Sequence, residues 1–265
     1  MMSGQSKDEI AVKDGQGKRR PVLEIAVQDI AGARIAALAG ADRMELCTAL
    51  GATGGITPSY GVIRLCSEVG VPLGAEVLIR SRGGDFVYNR DDKATQLAEI
   101  GPALEAGANG VVVGGLDNQG DIDLEFARDL IDEARAQARR LDRKIDVVFH
   151  RAFDMARNQE DALETLIELG YTRVLTSGGA RNAMEGMPSL ARLVRQANGR
   201  IQIMAGGGVQ PQFMAQLAGT GADALHLSAR RRLHSLGGPG GGGDDVLVER
   251  TDADIVRAAV AACKA

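Results

Sequence analysis

The chain has 265 residues, 45% of them hydrophobic and 25% charged, with a formal charge of −4. That is the size of one large globular domain, and the charge gives no pull toward nucleic acid or an anionic membrane. Aromatics are 3% and tryptophan is absent, so stacking platforms for bases are few. No apolar run reaches the roughly 18 residues of a membrane span.

In chain order, Met1 to Arg20 mixes Lys7, Asp8, Glu9, Lys13 and Asp14 with small polar residues and lacks the apolar centre of a signal peptide. Residues 1–20 are read as a disordered tail and residues 21–265 as the folded unit. Eight short strand-like runs follow: Val22–Val27, Arg43–Cys47, Gly74–Arg80, Gly110–Leu116, Ile145–His150, Arg173–Ser177, Ile201–Ala205 and Ala224–Ser228. Between them lie helical spacings at Ile30–Ala39, Val62–Val69, Lys93–Glu105, Leu124–Arg140, Gln159–Leu169, Leu190–Ala197 and Gln212–Ala218, and Asp252–Lys264 closes the chain. Strand and helix alternate, which implies a parallel sheet. Four helix-to-strand turns share one device: Gly40-Ala41-Asp42, Gly107-Ala108-Asn109, Gly170-Tyr171-Thr172 and Gly221-Ala222-Asp223. Eight such units predict a single (β/α)8 TIM barrel. The Gly-rich segment at 237–244 is read as a flexible loop, with a mobile lid as the alternative.

Alternation along a strand assigns the inward face. It groups Glu24 with Ala26, Glu45 with Cys47, Glu76 with Leu78 and Arg80, Asp146 with Val148 and His150, and His226 with Ser228. An inward charged set needs partners, and these residues are expected to supply them to one another. The set is either an ion-pair network that fixes the barrel or the site itself; strand C-termini favour the site. Glu45, His150, Asp154 and His226 are therefore the candidate acid–base residues, with Asp154 or an inward Glu setting the tautomer of His150. Arg80 and Arg82, beside Gly83-Gly84-Asp85, are either a fork for a carboxylate or phosphate or solvated loop arginines. Glu24, Asp85 and Arg151 join them as candidate ligand contacts. Ser177, Gly206, Gly207, Gly208 and Ser228 follow the sixth, seventh and eighth strands, where backbone N–H groups often cradle phosphate. No HExxH or P-loop pattern occurs, and no GxGxxG joins a strand directly to a helix. Cys47, Cys66 and Cys263 form neither a disulfide framework nor a CxxC site, which fits a reducing cytoplasm.

Together these segments resemble the CutC family, named for copper homeostasis. The matching pieces are Gly40–Cys47, Gly54–Ser59, Arg80–Phe86, Phe149–Asp154, Val174–Gly178, Gly206–Gly208 and His226–Arg230. The resemblance implies a (β/α)8 barrel, a cytoplasmic location, homodimers or larger homo-oligomers, and copper binding. Members suited to Cu(I) carry one cysteine on the first strand and one on the second. Cys47 matches the second, but Ala26 stands at the first, so the metal candidate is Cys47 alone and the copper site is expected to be weak. Ser81 replaces a proline typical between the two arginines. Beside the copper reading stands an enzyme of lyase, isomerase or hydrolase type acting on a small anionic or phosphorylated metabolite at the C-terminal mouth, with no redox cofactor and no nucleic-acid or membrane partner.

Overall fold

The computed structural model describes residues 12–13, 19–235 and 247–265. Eight strands close into a parallel barrel: β1 (Val22–Val27), β2 (Arg43–Leu46), β3 (Ala75–Leu78), β4 (Gly110–Val113), β5 (Asp146–Phe149), β6 (Arg173–Thr176), β7 (Gln202–Ala205) and β8 (Ala224–Leu227), with β8 pairing β1. The outer ring comprises α1 (Ile30–Ala39), α2 (Leu50–Thr53), α3 (Tyr60–Ser67), α4 (Arg90–Glu105), α5 (Leu124–Arg140), α6 (Gln159–Leu169), α7 (Met187–Ala197), α8 (Met214–Ala218) and α9 (Ala253–Lys264). The (β/α)8 expectation therefore holds, with strands one to three residues shorter than the apolar runs in most cases. Among the described residues no helix is long and apolar enough to cross a membrane.

Local sequence explains the joints. Asp29 caps α1 by accepting from the Gly32 N–H at 2.7 Å, and Gly40 ends it at φ +86°, a conformation an L side chain resists. Gly170 repeats the device after α6 at φ +83°. The turn residue that follows then serves the sheet: Asp42 accepts from the Leu23 N–H at 2.8 Å.

Two apolar layers result. Leu23, Ile25, Met44, Leu46, Val77, Val111 and Phe149 pack outward against the helices. Val22, Cys47, Leu78, Val112, Val148, Leu175, Met204 and Ala224 fill the barrel interior. Met44 faces the helices as alternation predicts, and Cys66 is buried within α3.

Three features were not expected. Within the segment read as a tail, Val12–Lys13 pairs antiparallel with Arg19–Arg20, and Val12 packs against the interior cluster. Arg20 reaches Asp42 with two hydrogen bonds of 2.6 and 2.8 Å, which ties this piece to the barrel. A hairpin follows β8: β9 (Arg230–His234) pairs antiparallel with β10 (Leu247–Thr251). It docks on the loop after β1 through Arg250–Asp29 at 3.1 Å and Gln28–Glu249 at 3.3 Å. Its strand Arg-Arg-Arg-Leu-His carries too much charge to read as β from sequence. The Gly-rich segment between its arms lies outside the described residues.

Candidate functional site

The barrel centre is polar. Strand register sets Glu24 beside Arg43 on one side and His226 on the other, and Glu45 beside Glu76. Arg43 forms a very short ion pair with Glu24 and lies 3.4 Å from Glu76. Arg173 binds Glu76 at 2.6 Å and Asp146 at 3.0 Å. Arg43 and Arg173 are thus the main counter-ions of the inward carboxylates, and the expected pairing of those carboxylates with Arg80 and His150 is not formed. Sequence reasoning missed both arginines because they follow the helix-to-strand turns. The signal was present, since Arg43 alternates with Glu45 and Cys47, and Arg173 with Leu175.

Above this layer stands a Glu–His–Glu arrangement. His226 Nδ1 lies 2.7 Å from Glu24 Oε1, and its Nε2 lies 3.8 Å from Glu45 Oε2. Burial would push Glu24 up, but Arg43 and the His226 hydrogen bond outweigh it and keep Glu24 ionised. Nδ1–H therefore donates to Glu24, which fixes the ring and directs Nε2 toward Glu45. Burial pushes Glu45 up to about 7, against the opposing pull of His226. Burial also opposes charge on His226, but Glu45 and Glu24 outweigh it and raise its pKa. The two groups are thus shifted upward together, Glu45 to about 7, with Nε2 and Oε2 3.8 Å apart, beyond direct hydrogen-bond distance.

The turn after β5 adds a cation, Arg151, which packs against the loops after β6 and β7. A Cβ built on Gly206 would lie 3.3 Å from the His226 Cβ, and one on Gly207 would lie 3.0 Å from the Arg151 Cζ. Backbone that only glycine allows this close therefore links the His226 ring to the Arg151 guanidinium. Arg151 donates to Asp154 at 2.7 Å and to Ser177 Oγ at 2.9 Å, while its side chain stays 40% exposed. Asp154 accepts from Thr176 Oγ1 at 2.5 Å and from the N–H groups of Ser177 and Gly179 at 2.9 and 3.1 Å. It braces Arg151 and the β6 loop and does not reach His150, contrary to the expected tautomer role. A cleft of about 780 Å³ opens on the far flank of this loop, lined by Asp154, Asn158, Gln159, Gly178, Gly179 and Arg192, apart from the Glu–His pair.

The remaining candidates separate. His150 Nδ1 accepts from the Ala152 N–H at 3.2 Å, so its proton sits on Nε2. Burial, then the Arg80 charge, push its pKa down to about 3, and it is a neutral donor at physiological pH. Arg80 and Arg82 form no fork. Arg80 donates to the carbonyls of Thr53, Gly55 and Gly84 at 2.9, 3.0 and 2.7 Å. Arg82 turns to Asp92 at 2.9 Å and Asp85 at 3.2 Å, and Asp85 is exposed. Ser228 is half-buried, and its carbonyl accepts from the Arg230 N–H at 2.9 Å. Cys47 is fully buried, with the Val27 carbonyl 3.9 Å from its Sγ. Ala26 stands opposite Glu45, and Cys47 directly follows β2, so Ala26 and Cys47 are not cross-strand partners.

These features define a (β/α)8 barrel with a buried ion-pair network at its centre and Glu45 and His226 beside one another. The chain belongs to the CutC family, whose model matches residues 21–231. A CutC family protein of Agrobacterium fabrum is 45% identical over 196 residues, covering 74% of each chain. The copper homeostasis protein cutC homolog of Homo sapiens is 42% identical over 210 residues, 79% of this chain and 73% of that one. The crystal structure of CutC from Streptococcus agalactiae superposes with a TM-score of 0.70 at 32% identity, covering 78% of this chain and 97% of that one. A 2,3-dimethylmalate lyase structure, with a TM-score of 0.58 at 13% identity over 78% of this chain and 75% of its own, shares the fold alone.

Proposed function

We propose that this chain, a member of a family named for copper homeostasis, carries out acid–base chemistry on a small anionic molecule at the barrel mouth. The observation that carries this reading is the Glu24–His226–Glu45 arrangement, with Glu45 held near neutrality. Glu45 takes a proton from the substrate or gives one to it. His226 exchanges that proton through Nε2, and Glu24 holds Nδ1. Arg151, braced by Asp154 and Ser177 and packed against Gly207, faces the anionic group, with Gly206 and Gly208 flanking that glycine. The reaction class is a lyase, isomerase or hydrolase step that turns on proton transfer.

The residues present do not fit a tight Cu(I) centre. Cu(I) favours thiolate pairs, and burial, followed by Glu45, pushes the Cys47 thiol well above its ordinary value. Among the described residues no three His, Cys, Asp or Glu side chains are grouped for a metal ion. Cys47 is therefore proposed as at most a weak copper ligand. A cytoplasmic setting and a homo-oligomer belong to the same proposal. The buried free thiols support the first. Exposed Leu38 and Leu65, in a groove between α1 and α3, support the second.

The test is a thermal-shift screen of carboxylated and phosphorylated metabolites. A ligand that stabilises the wild type and loses its effect in Arg151→Ala and Glu45→Gln supports the reading. Hits indifferent to both substitutions overturn it.

A further inference from the structure

Of the seven buried side-chain polar atoms without a hydrogen-bond partner among the described residues, three belong to side chains near one another and away from the Glu45–His226 pair: Arg80 Nε, Tyr88 Oη and His150 Nε2. Their residues are 4%, 6% and 4% exposed. Unpaired buried polar atoms are rare and each costs about 1–3 kcal/mol, so three near one another need a common explanation.

They are neighbours. The Arg80 guanidinium lies 4.7 Å from the Phe86 ring centre, and that ring lies 4.9 Å from the His150 ring. Burial pushes the Tyr88 hydroxyl up, and the Arg80 guanidinium, within hydrogen-bonding reach of Oη, opposes it, so Tyr88 can accept from Arg80 and still donate its own O–H. The charge of Arg80 is also unbalanced. Its hydrogen bonds end on three neutral carbonyls, and no carboxylate of the described residues lies within ion-pair distance. Asp85 senses that charge, but from an exposed position already engaged by Arg82. A buried cation without a counter-ion is costly.

The free atoms share one chemistry. Arg80 Nε–H is a donor. His150 Nε2–H is a donor because Nδ1 is occupied by the Ala152 N–H. Tyr88 Oη–H can donate as well. Three donors around one uncompensated positive charge match a small acceptor-only anion.

We propose that Arg80, Tyr88 and His150 form a second anion site beneath Phe86, which takes a single carboxylate group. It is separate from the Glu45–His226 pair and does not depend on the function proposed for that pair. Phe86, half-buried on the loop after β3, forms its cover.

The full chain labelled with 15N-histidine tests this by NMR, with sodium formate as probe and sodium chloride at matched ionic strength as control. The expected result is a saturable shift of His150 Nε2 with formate and not with chloride, while His226 stays in place. Arg80→Met should weaken formate by roughly tenfold or more, the loss expected for a charge-assisted hydrogen bond. Tyr88→Phe, which keeps the ring, should weaken it severalfold and carries the test if Arg80→Met does not fold. A response that fails to saturate, is reproduced by chloride, or persists unchanged in the variants overturns the proposal, as does movement of His226 alone.

Discussion

Arg43→Met tests the polar core directly. Arg43 is fully buried between Glu24 and Glu76, whose side chains are 0% and 1% exposed. Methionine keeps most of the stem and removes the charge, which leaves Glu24 with only His226 as a close cationic partner. Removing one member of a buried ion pair costs about 3–5 kcal/mol, against a total stability on the order of 5–15 kcal/mol. The variant should therefore fold but melt roughly 10 °C lower. The pH dependence is diagnostic. In the wild type, Arg43 and His226 hold Glu24 low, so that stabilisation is present above the unfolded value near 4.5 and is lost as pH falls through the folded one. Without Arg43, burial dominates and raises the folded pKa, so the deficit should grow as pH rises above about 4.5. Urea titrations at pH 5 and pH 8 measure this, and the double variant Glu24→Gln/Arg43→Met should recover much of the loss. A deficit under about 1 kcal/mol, or one that is flat with pH and not rescued, would refute the reasoning.

Further outcomes follow from the same geometry. Glu45→Gln should remove a pH slope: the folded pKa of about 7 exceeds the ordinary 4.5, so wild-type stability falls relative to the variant as pH rises between those values, read by urea midpoints. Gly207→Ala places a side chain at φ +97° against the Arg151 guanidinium, and should cost about 1–3 kcal/mol and weaken anion binding, read by melting and thermal shift. Cys47→Ala removes an interior packing atom and should cost about 1–2 kcal/mol, with chelator competition showing no loss of tight Cu(I) retention.

The barrel was legible because most strand runs were bracketed by polar or glycine residues and most helices kept an apolar period; α4, with Pro102 inside it, shows almost none. Leu124–Arg140 and Gln159–Leu169 match to the residue. The inward faces of Glu24, Glu45 and His226 followed from alternation alone. What stayed hidden depended on distance in the chain. Arg173 meets Glu76 across the barrel, and nothing local marks that pair. Asp154 sits four residues from His150, but the intervening 3-10 turn aims it at the Ser177 and Gly179 amides. Arg80 read as a ligand fork because its three carbonyl partners come from loops whose paths no pattern reveals. The Arg230–His234 strand was masked by its own charge.

The proposed chemistry requires Glu45 and His226 to raise each other's pKa while Glu24 fixes the ring. A 15N-histidine NMR titration tests it most directly. The account predicts that His226 keeps Nδ1 protonated throughout and titrates at Nε2 above the ordinary imidazole value of 6.5, and that its pKa drops in Glu45→Gln. Titration at or below 6.5, unaltered by Glu45→Gln, would contradict it.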